Sequence, residues 1–232
     1  NPFGYHLTNL ILHLLNSILV FWFIYLLLKN ISVSFITAIL FGIHPLHVES
    51  VAWISARKDV LYAFFFLLAL ICYSYYLRKD QRPKYYLLSL LLFLCSLLSK
   101  SMAVTLPFVL LLLDYFIQRK PNKTVIIDKI PFFCLLAIFS TIALKGIRQE
   151  NLHGLFNTLA VVSYAVVFYL GKLFFPLKLS SYYFNNGFEY NFSYLSSIVI
   201  VLILFVSVII SGKYTRKIVF GGTFFLVTAL PV

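Results

Sequence analysis

The chain has 232 residues, 62% of them hydrophobic and only 11% charged, with a formal net charge of +12 and a mean hydropathy of +0.95. A soluble globular domain is roughly 45–50% apolar and about 25% charged, so this composition excludes a soluble fold and indicates a polytopic membrane protein. Lipid offers the backbone no hydrogen-bond partners, which leaves helices or closed barrels as spanning structures. The apolar runs are continuous rather than alternating, which selects helices. The expected fold class is therefore all-α: a polytopic, integral-membrane helical bundle.

Taken in chain order, apolar runs at 5–28, 31–46, 60–77, 84–99, 103–117, 130–147, 193–211 and 218–232 predict about eight transmembrane helices in one membrane domain spanning 1–232. A further apolar helix falls near 156–175. The chain opens at Asn1 without a methionine and stops at "TALPV" within an apolar run, so it is expected to be a piece of a larger protein. Cys72, Cys95 and Cys134 lie in apolar runs and form neither a disulfide nor a zinc pattern.

Basic residues orient the spans. Lys29, the Arg78–Lys84 loop, the Arg119–Lys129 loop and Lys213, Arg216 and Lys217 fall on one side and mark it as cytoplasmic. Arg57, Lys58, Lys100, Lys145 and Arg148 fall on the other. The net positive charge is thus largely an orientation signal, and no nucleic-acid partner is implied. If 156–175 spans, Lys213–Lys217 land on the wrong side. Read as re-entrant or interfacial, the segment restores the parity, and the aromatic stretch "SSYYFNNGFEYNFSY" after Pro176 suits an interface.

The acids sort by side. Asp80, Asp114 and Asp128 sit at cytoplasmic ends, where loop solvation is expected to account for them. Glu49, Asp59, Glu150 and Glu189 share the opposite face with His44, His47, Lys100 and Arg148. The densest polar stretch is "HPLHVESVAWISARKDVL", from His44 to Leu61. The span before it, Ile31 to Ile43, rises only about 20 Å at 1.5 Å per residue, against a hydrocarbon thickness of about 30 Å. The His-Pro break is therefore expected below the membrane surface, where polar backbone is tolerated inside protein or beside a wet cavity. Pro45 suits the first turn of a new helix, and on that helix Glu49, Trp53 and Arg57 would share one face at i, i+4 and i+8.

His44-x-x-His47-x-Glu49 offers imidazole and carboxylate ligands to a divalent cation, although the spacing alone is a weak signal and ordinary interfacial polarity accounts for it equally well. Arg57 and Lys100 are of the type that binds phosphate; their alternative is snorkelling to the interface. Asp59 reads as the N-cap of the next span or as a partner of Arg57. His6, Asn9 and His13 form one helical stripe that should face the bundle rather than lipid. Asn122 and Asn191 head Asn-x-Ser/Thr triplets; the first lies in an expected cytoplasmic loop.

Several stretches together resemble one family. They are "GYHLTNLILHLLNSILVF", "ILFGIHPLHVESVAWISARKDVLYAFFFLLAL", "LSKSMAVTLPFVLLLLDY", "YLGKLFFPLKLSSYY" and "FFLVTALPV". Their order and spacing are similar to the membrane part of TMTC proteins, the transmembrane and tetratricopeptide-repeat-containing protein O-mannosyltransferases, and their bacterial relatives. The resemblance implies a GT-C type glycosyltransferase. Such an enzyme takes sugar, mannose in the eukaryotic members, from a polyprenyl- or dolichyl-phosphate donor to Ser or Thr hydroxyls of a protein acceptor, on the luminal or periplasmic side.

By that resemblance the catalytic aspartate belongs to a first outer loop that would precede Asn1, the repeats would follow the C-terminal end, and this piece alone would be inactive. Matched by motif, His44, His47, Glu49, Arg57, Asp59 and Lys100 are candidates for the substrate cavity, and Arg148 joins them by loop position. The family often carries Lys-Glu where this chain has Lys100-Ser101, which puts any role of that glutamate in doubt. The implied partners are the lipid-linked donor, a protein acceptor and membrane lipids, in a bacterial inner membrane or the endoplasmic reticulum. A transporter or flippase and a non-catalytic membrane anchor for a repeat domain are the alternatives; the His-Pro block has no second copy of the kind that transporter repeats would supply.

Overall fold

The computed structural model describes residues 2–78, 82–120, 122–146, 155–177, 179–180 and 192–229. They form α-helices α1 (Pro2–Leu28), α2 (Ile31–Ile43), α3 (Val48–Ala52), α4 (Arg57–Arg78), α5 (Pro83–Ser99), α6 (Leu106–Ile117), α7 (Lys123–Ile127), α8 (Ile130–Gly146), α9 (Leu155–Phe174), α10 (Phe192–Ser211) and α11 (Arg216–Ala229), with short 3-10 turns at Pro45–His47, Ile54–Ala56 and Ser101–Thr105. The fold is an all-α integral-membrane bundle. The expected apolar runs and these helices agree to within a few residues over most of their length. Phe3–Leu28, Ile54–Arg78, Lys123–Ala143 and Tyr194–Ser211 are each long and apolar enough to cross a bilayer, and α2 with the segment after it makes a fifth, broken span. Pro83–Ser99, Ser101–Ile117 and Leu159–Phe174 are shorter apolar helices.

Two compact units are present: Asn1–Leu110 with Lys120–Leu144, and Leu111–Arg119 with Lys145–Val232. In the first, α1 lies against α2 and α4, and α4 packs most extensively against α5. The α1–α2 turn is tight because Lys29 adopts a left-handed conformation (φ 54°) and Asn30 caps α2, its side chain accepting from Val33 N at 3.0 Å. Helix α4 is the centre of this unit, with Ala69, Leu70, Tyr73 and Ser74 fully buried. Small hydroxyls stitch α5 to it: Ser89 Oγ donates to Ala69 O and Ser96 Oγ to Tyr62 O, both at 2.9 Å. Lipid tails are as apolar as leucine, so such close packing and hydrogen bonding hold membrane helices together. In the second unit α10 packs against α9 and α11. There Gly222 permits close approach to α10, because a Cβ would lie 2.6 Å from Val208 Cγ2.

Three expectations are corrected. The helix begun at Pro45 does not carry Glu49, Trp53 and Arg57 on one face. The chain leaves α3 at Trp53, which is extended (φ −87°, ψ 124°), makes a 3-10 turn and restarts as α4 at Arg57. No proline or glycine marks that second break. Asp59 is neither an N-cap nor a partner of Arg57; it lies in the first turn of α4 and pairs with Lys100. Loop solvation does not account for Asp128 or Asp114. Tyr76 Oη donates to Asp128 Oδ2 and Tyr86 Oη to its carbonyl, both at 3.0 Å. Asp114 is buried 3.9 Å from Arg119.

Beside Asp128, the buried Lys129 donates to Tyr73 Oη, and Phe132 sits against Tyr73, Tyr86 and Phe93. This polar-aromatic group ties α4, α5 and the start of α8 together at the end of the unit opposite His44. Tyr76→Phe removes a hydrogen bond to a charged acceptor, worth about 1.5–3 kcal/mol. Thermal unfolding of the purified variant should show a lowered midpoint with helix content retained; an unchanged midpoint would show that this contact does not hold the end together.

Candidate functional site

The site is built on a break in the membrane backbone. Proline following His44 pushes that residue into extended geometry and stops α2. The chain then bends by 49° into Pro45–Ala52 and opens again at Trp53. Each helix end leaves carbonyls without intrahelical partners, a cost of several kcal/mol per group in hydrocarbon. Helix α1 supplies the missing donors. Asn9 Nδ2 donates to Trp53 O at 3.2 Å and Val51 O at 3.4 Å. His13 Nε2 lies 3.0 Å from Gly42 O; a carbonyl only accepts, so this nitrogen carries the proton. Asn16 Nδ2 donates to Val60 O at 2.9 Å; that carbonyl lies within α4, so this bond ties α1 to α4 rather than filling a helix end.

The stripe that faces the bundle is therefore Asn9, His13 and Asn16, all buried, while His6 is exposed. Asn16 continues the expected stripe by one turn and was open to the same spacing argument. Gly42 allows α1 and α2 to approach, since a Cβ there would lie 3.1 Å from Ser17 Oγ.

Around the break the histidines gather. The His47 ring lies 4.4 Å from Phe41, 5.4 Å from His13 and 6.3 Å from His44, centroid to centroid. His44 Nδ1 accepts from Leu46 N at 3.3 Å, which turns this ring back on its own loop. Glu49 is exposed. Among the described residues no group of three His, Cys, Asp or Glu side chains is placed to hold a metal ion. The His44–His47–Glu49 spacing thus does not become a ligand set, because one ring caps its loop and another packs on Phe41.

The charged residues divide into a neutralised pair and a lone cation. Lys100, at the C-terminal end of α5, donates its ammonium to Asp59. Each side chain of the pair is about a quarter exposed (25% and 24%). Lys100 also stands 5.8 Å from the Tyr62 ring. Arg57, two residues before Asp59, makes no hydrogen bond or ion pair among the described residues. Its guanidinium carbon sits 4.8 Å from the centroid of Tyr5 on α1, and its Nε is buried without a partner. The structure thus brings Arg57, Asp59, Lys100, His44 and His47 to one end of the first unit. Arg148 lies outside the described residues, as do Glu150 and Glu189. Tyr5 was not singled out from sequence, because one tyrosine among 16 carries no signal until its partner is known.

With this geometry in place, the comparisons are informative. The model of the dolichyl-phosphate-mannose-protein mannosyltransferase family matches residues 6–147, which include the break, Arg57, Asp59 and Lys100. Protein O-mannosyl-transferase TMTC1 of Homo sapiens is 38% identical over 135 residues, covering 53% of this chain and 15% of the relative. Protein O-mannosyl-transferase TMTC2 of Homo sapiens is 33% identical over 158 residues, covering 66% of this chain and 19% of the relative. Protein O-mannosyl-transferase Tmtc1 of Drosophila melanogaster is 34% identical over 104 residues, covering 45% and 12%. The chain thus spans less than a fifth of the length of each of these relatives. No solved structure matches. A family match over more than half of the chain, which takes in the broken membrane span, establishes that the chain belongs to the dolichyl-phosphate-mannose-protein mannosyltransferase family.

Proposed function

We propose that this chain contributes one wall of a GT-C type membrane glycosyltransferase site. The enzyme would move a sugar, mannose by family likeness, from a polyprenyl- or dolichyl-phosphate donor to a Ser or Thr hydroxyl of a protein, on the non-cytoplasmic face. The observation that carries the reading is Arg57: a cation at the end of a membrane bundle, without a counterion among the described residues, its guanidinium carbon 4.8 Å from the Tyr5 centroid and its Nε buried without a partner. A lipid phosphate would supply both the compensating charge and the hydrogen-bond acceptors that a planar guanidinium suits.

The reaction is a displacement at the anomeric carbon. The acceptor oxygen forms a bond to that carbon as the bond to the phosphate oxygen breaks, and the electron pair leaves on the phosphate. The acceptor's proton passes to a carboxylate, expected by resemblance on the outer loop that would precede Asn1. Arg57 steadies the negative charge that grows on the leaving phosphate. Lys100 is already neutralised by Asp59, which suits it to shaping the wall rather than holding the phosphate. In this reading His47 and the exposed Glu49 border the acceptor or sugar. The apolar faces between helices would take the prenyl chain. No step requires a divalent cation in this reading.

The test is transfer from a labelled polyprenyl-phosphate mannose to a Ser/Thr-containing acceptor, catalysed by the natural full-length chain in membranes. Transfer is expected, and Arg57→Ala should lower kcat/KM by about 10²–10³-fold, the range for losing a donor that stabilises developing charge. Absence of transfer under conditions where a relative is active, or an Arg57→Ala variant with unaltered kcat/KM, would reject the proposal. A transporter would instead move the lipid-linked sugar across the bilayer without consuming the acceptor.

A further inference from the structure

We infer that Tyr5 is a positioning residue for Arg57, holding the guanidinium in the plane from which it meets the donor phosphate; the inference rests on the phosphate reading of Arg57. The argument begins with what Arg57 lacks. The nearby carboxylate of Asp59 is taken by Lys100, so no acid orients Arg57. Its Nε is buried and unpartnered. The contact that defines its position is the Tyr5 ring, 4.8 Å from the guanidinium carbon.

A guanidinium held against a ring by cation–π attraction has gained no anionic partner, whereas an ion pair with an acid would supply one. Carboxylate pairing would both orient Arg57 and neutralise the charge a phosphate needs; an aromatic ring orients it and leaves that charge uncompensated. The placement of both partners is fixed from below. Tyr5 lies one helical turn before Asn9 on α1, and Asn9 grips Trp53 O, one turn before Arg57. The same α1 face therefore positions the start of α4 through Asn9 and its first side chain through Tyr5. Tyr5 is itself 47% exposed, so its ring is not a core-filling group, and truncating it leaves no internal cavity.

A double-mutant cycle in the natural full-length chain tests this, reading KM for polyprenyl-phosphate mannose and kcat separately. Arg57→Ala sets the scale. Tyr5→Leu should raise the donor KM by about five- to tenfold, within the range for a cation–π contact, with kcat within about twofold. Tyr5→Phe, which keeps the ring, should restore the donor KM, and Tyr5→Leu combined with Arg57→Ala should be no worse than Arg57→Ala alone. If folded yield of Tyr5→Leu falls, Tyr5→Ile takes its place.

A raised KM for Arg57→Ala with an unchanged KM for Tyr5→Leu would overturn the positioning role and leave the phosphate reading standing. So would additive effects in the double variant, or a Tyr5→Phe variant as impaired as Tyr5→Leu. An Arg57→Ala variant with both donor KM and kcat unchanged would remove the phosphate reading itself, and the positioning role with it.

Discussion

The structure depends on how a membrane bundle satisfies backbone carbonyls where its helices stop. Between Ile43 and Arg57 the chain ends one helix, turns, makes five residues of another, opens at Trp53 and turns again before α4. In water those freed carbonyls would be solvated at no cost. Beside lipid they need protein donors, and α1 provides them through Asn9 and His13. Individual bonds of this kind contribute only about 0.6–2 kcal/mol. Their importance is that the alternative, an unpaired carbonyl in hydrocarbon, is worse.

From this bracing follows the separation of charges. Because the start of α4 is held, Asp59 in its first turn meets Lys100 from the end of α5, while Arg57 is left to lie on Tyr5. One cation is neutralised by a carboxylate; the other has no ion-pair partner among the described residues. The opposite end of the unit is built differently, with Asp128 and Lys129 fully engaged by tyrosines of α4 and α5. The two ends thus contrast in chemical availability: locked at the Asp128 end, open at the Arg57 end.

The helices were legible because membrane spans are written in uninterrupted apolar runs, and the first break was legible because proline follows His44. The second break, at Trp53, was not: "SVAWISARK" contains no glycine or proline and reads as continuous helix. Its cause is tertiary, the grip of Asn9 from 44 residues earlier. The partner of Asp59 was likewise invisible, since Arg57 is near in sequence and Lys100, 41 residues away, is near only in space. His6 fell outside the buried stripe because it sits where α1 emerges from its neighbours, whereas Asn16, one turn beyond His13, lies in the helix packing. The polar cluster was recognisable by composition; which of its cations stays free is a property of packing.

The central claim is that α1 side chains brace the broken span and thereby place Arg57. Hydrogen exchange of the protein in nanodiscs, comparing the parent with Asn9→Leu, tests it most directly. The account predicts faster exchange of the backbone amides from Val51 to Arg57, with the α4–α5 core around Ala69 and Ser89 as protected as in the parent. Unchanged exchange across Val51–Arg57 in Asn9→Leu would contradict it, showing that the break holds its shape without the asparagine.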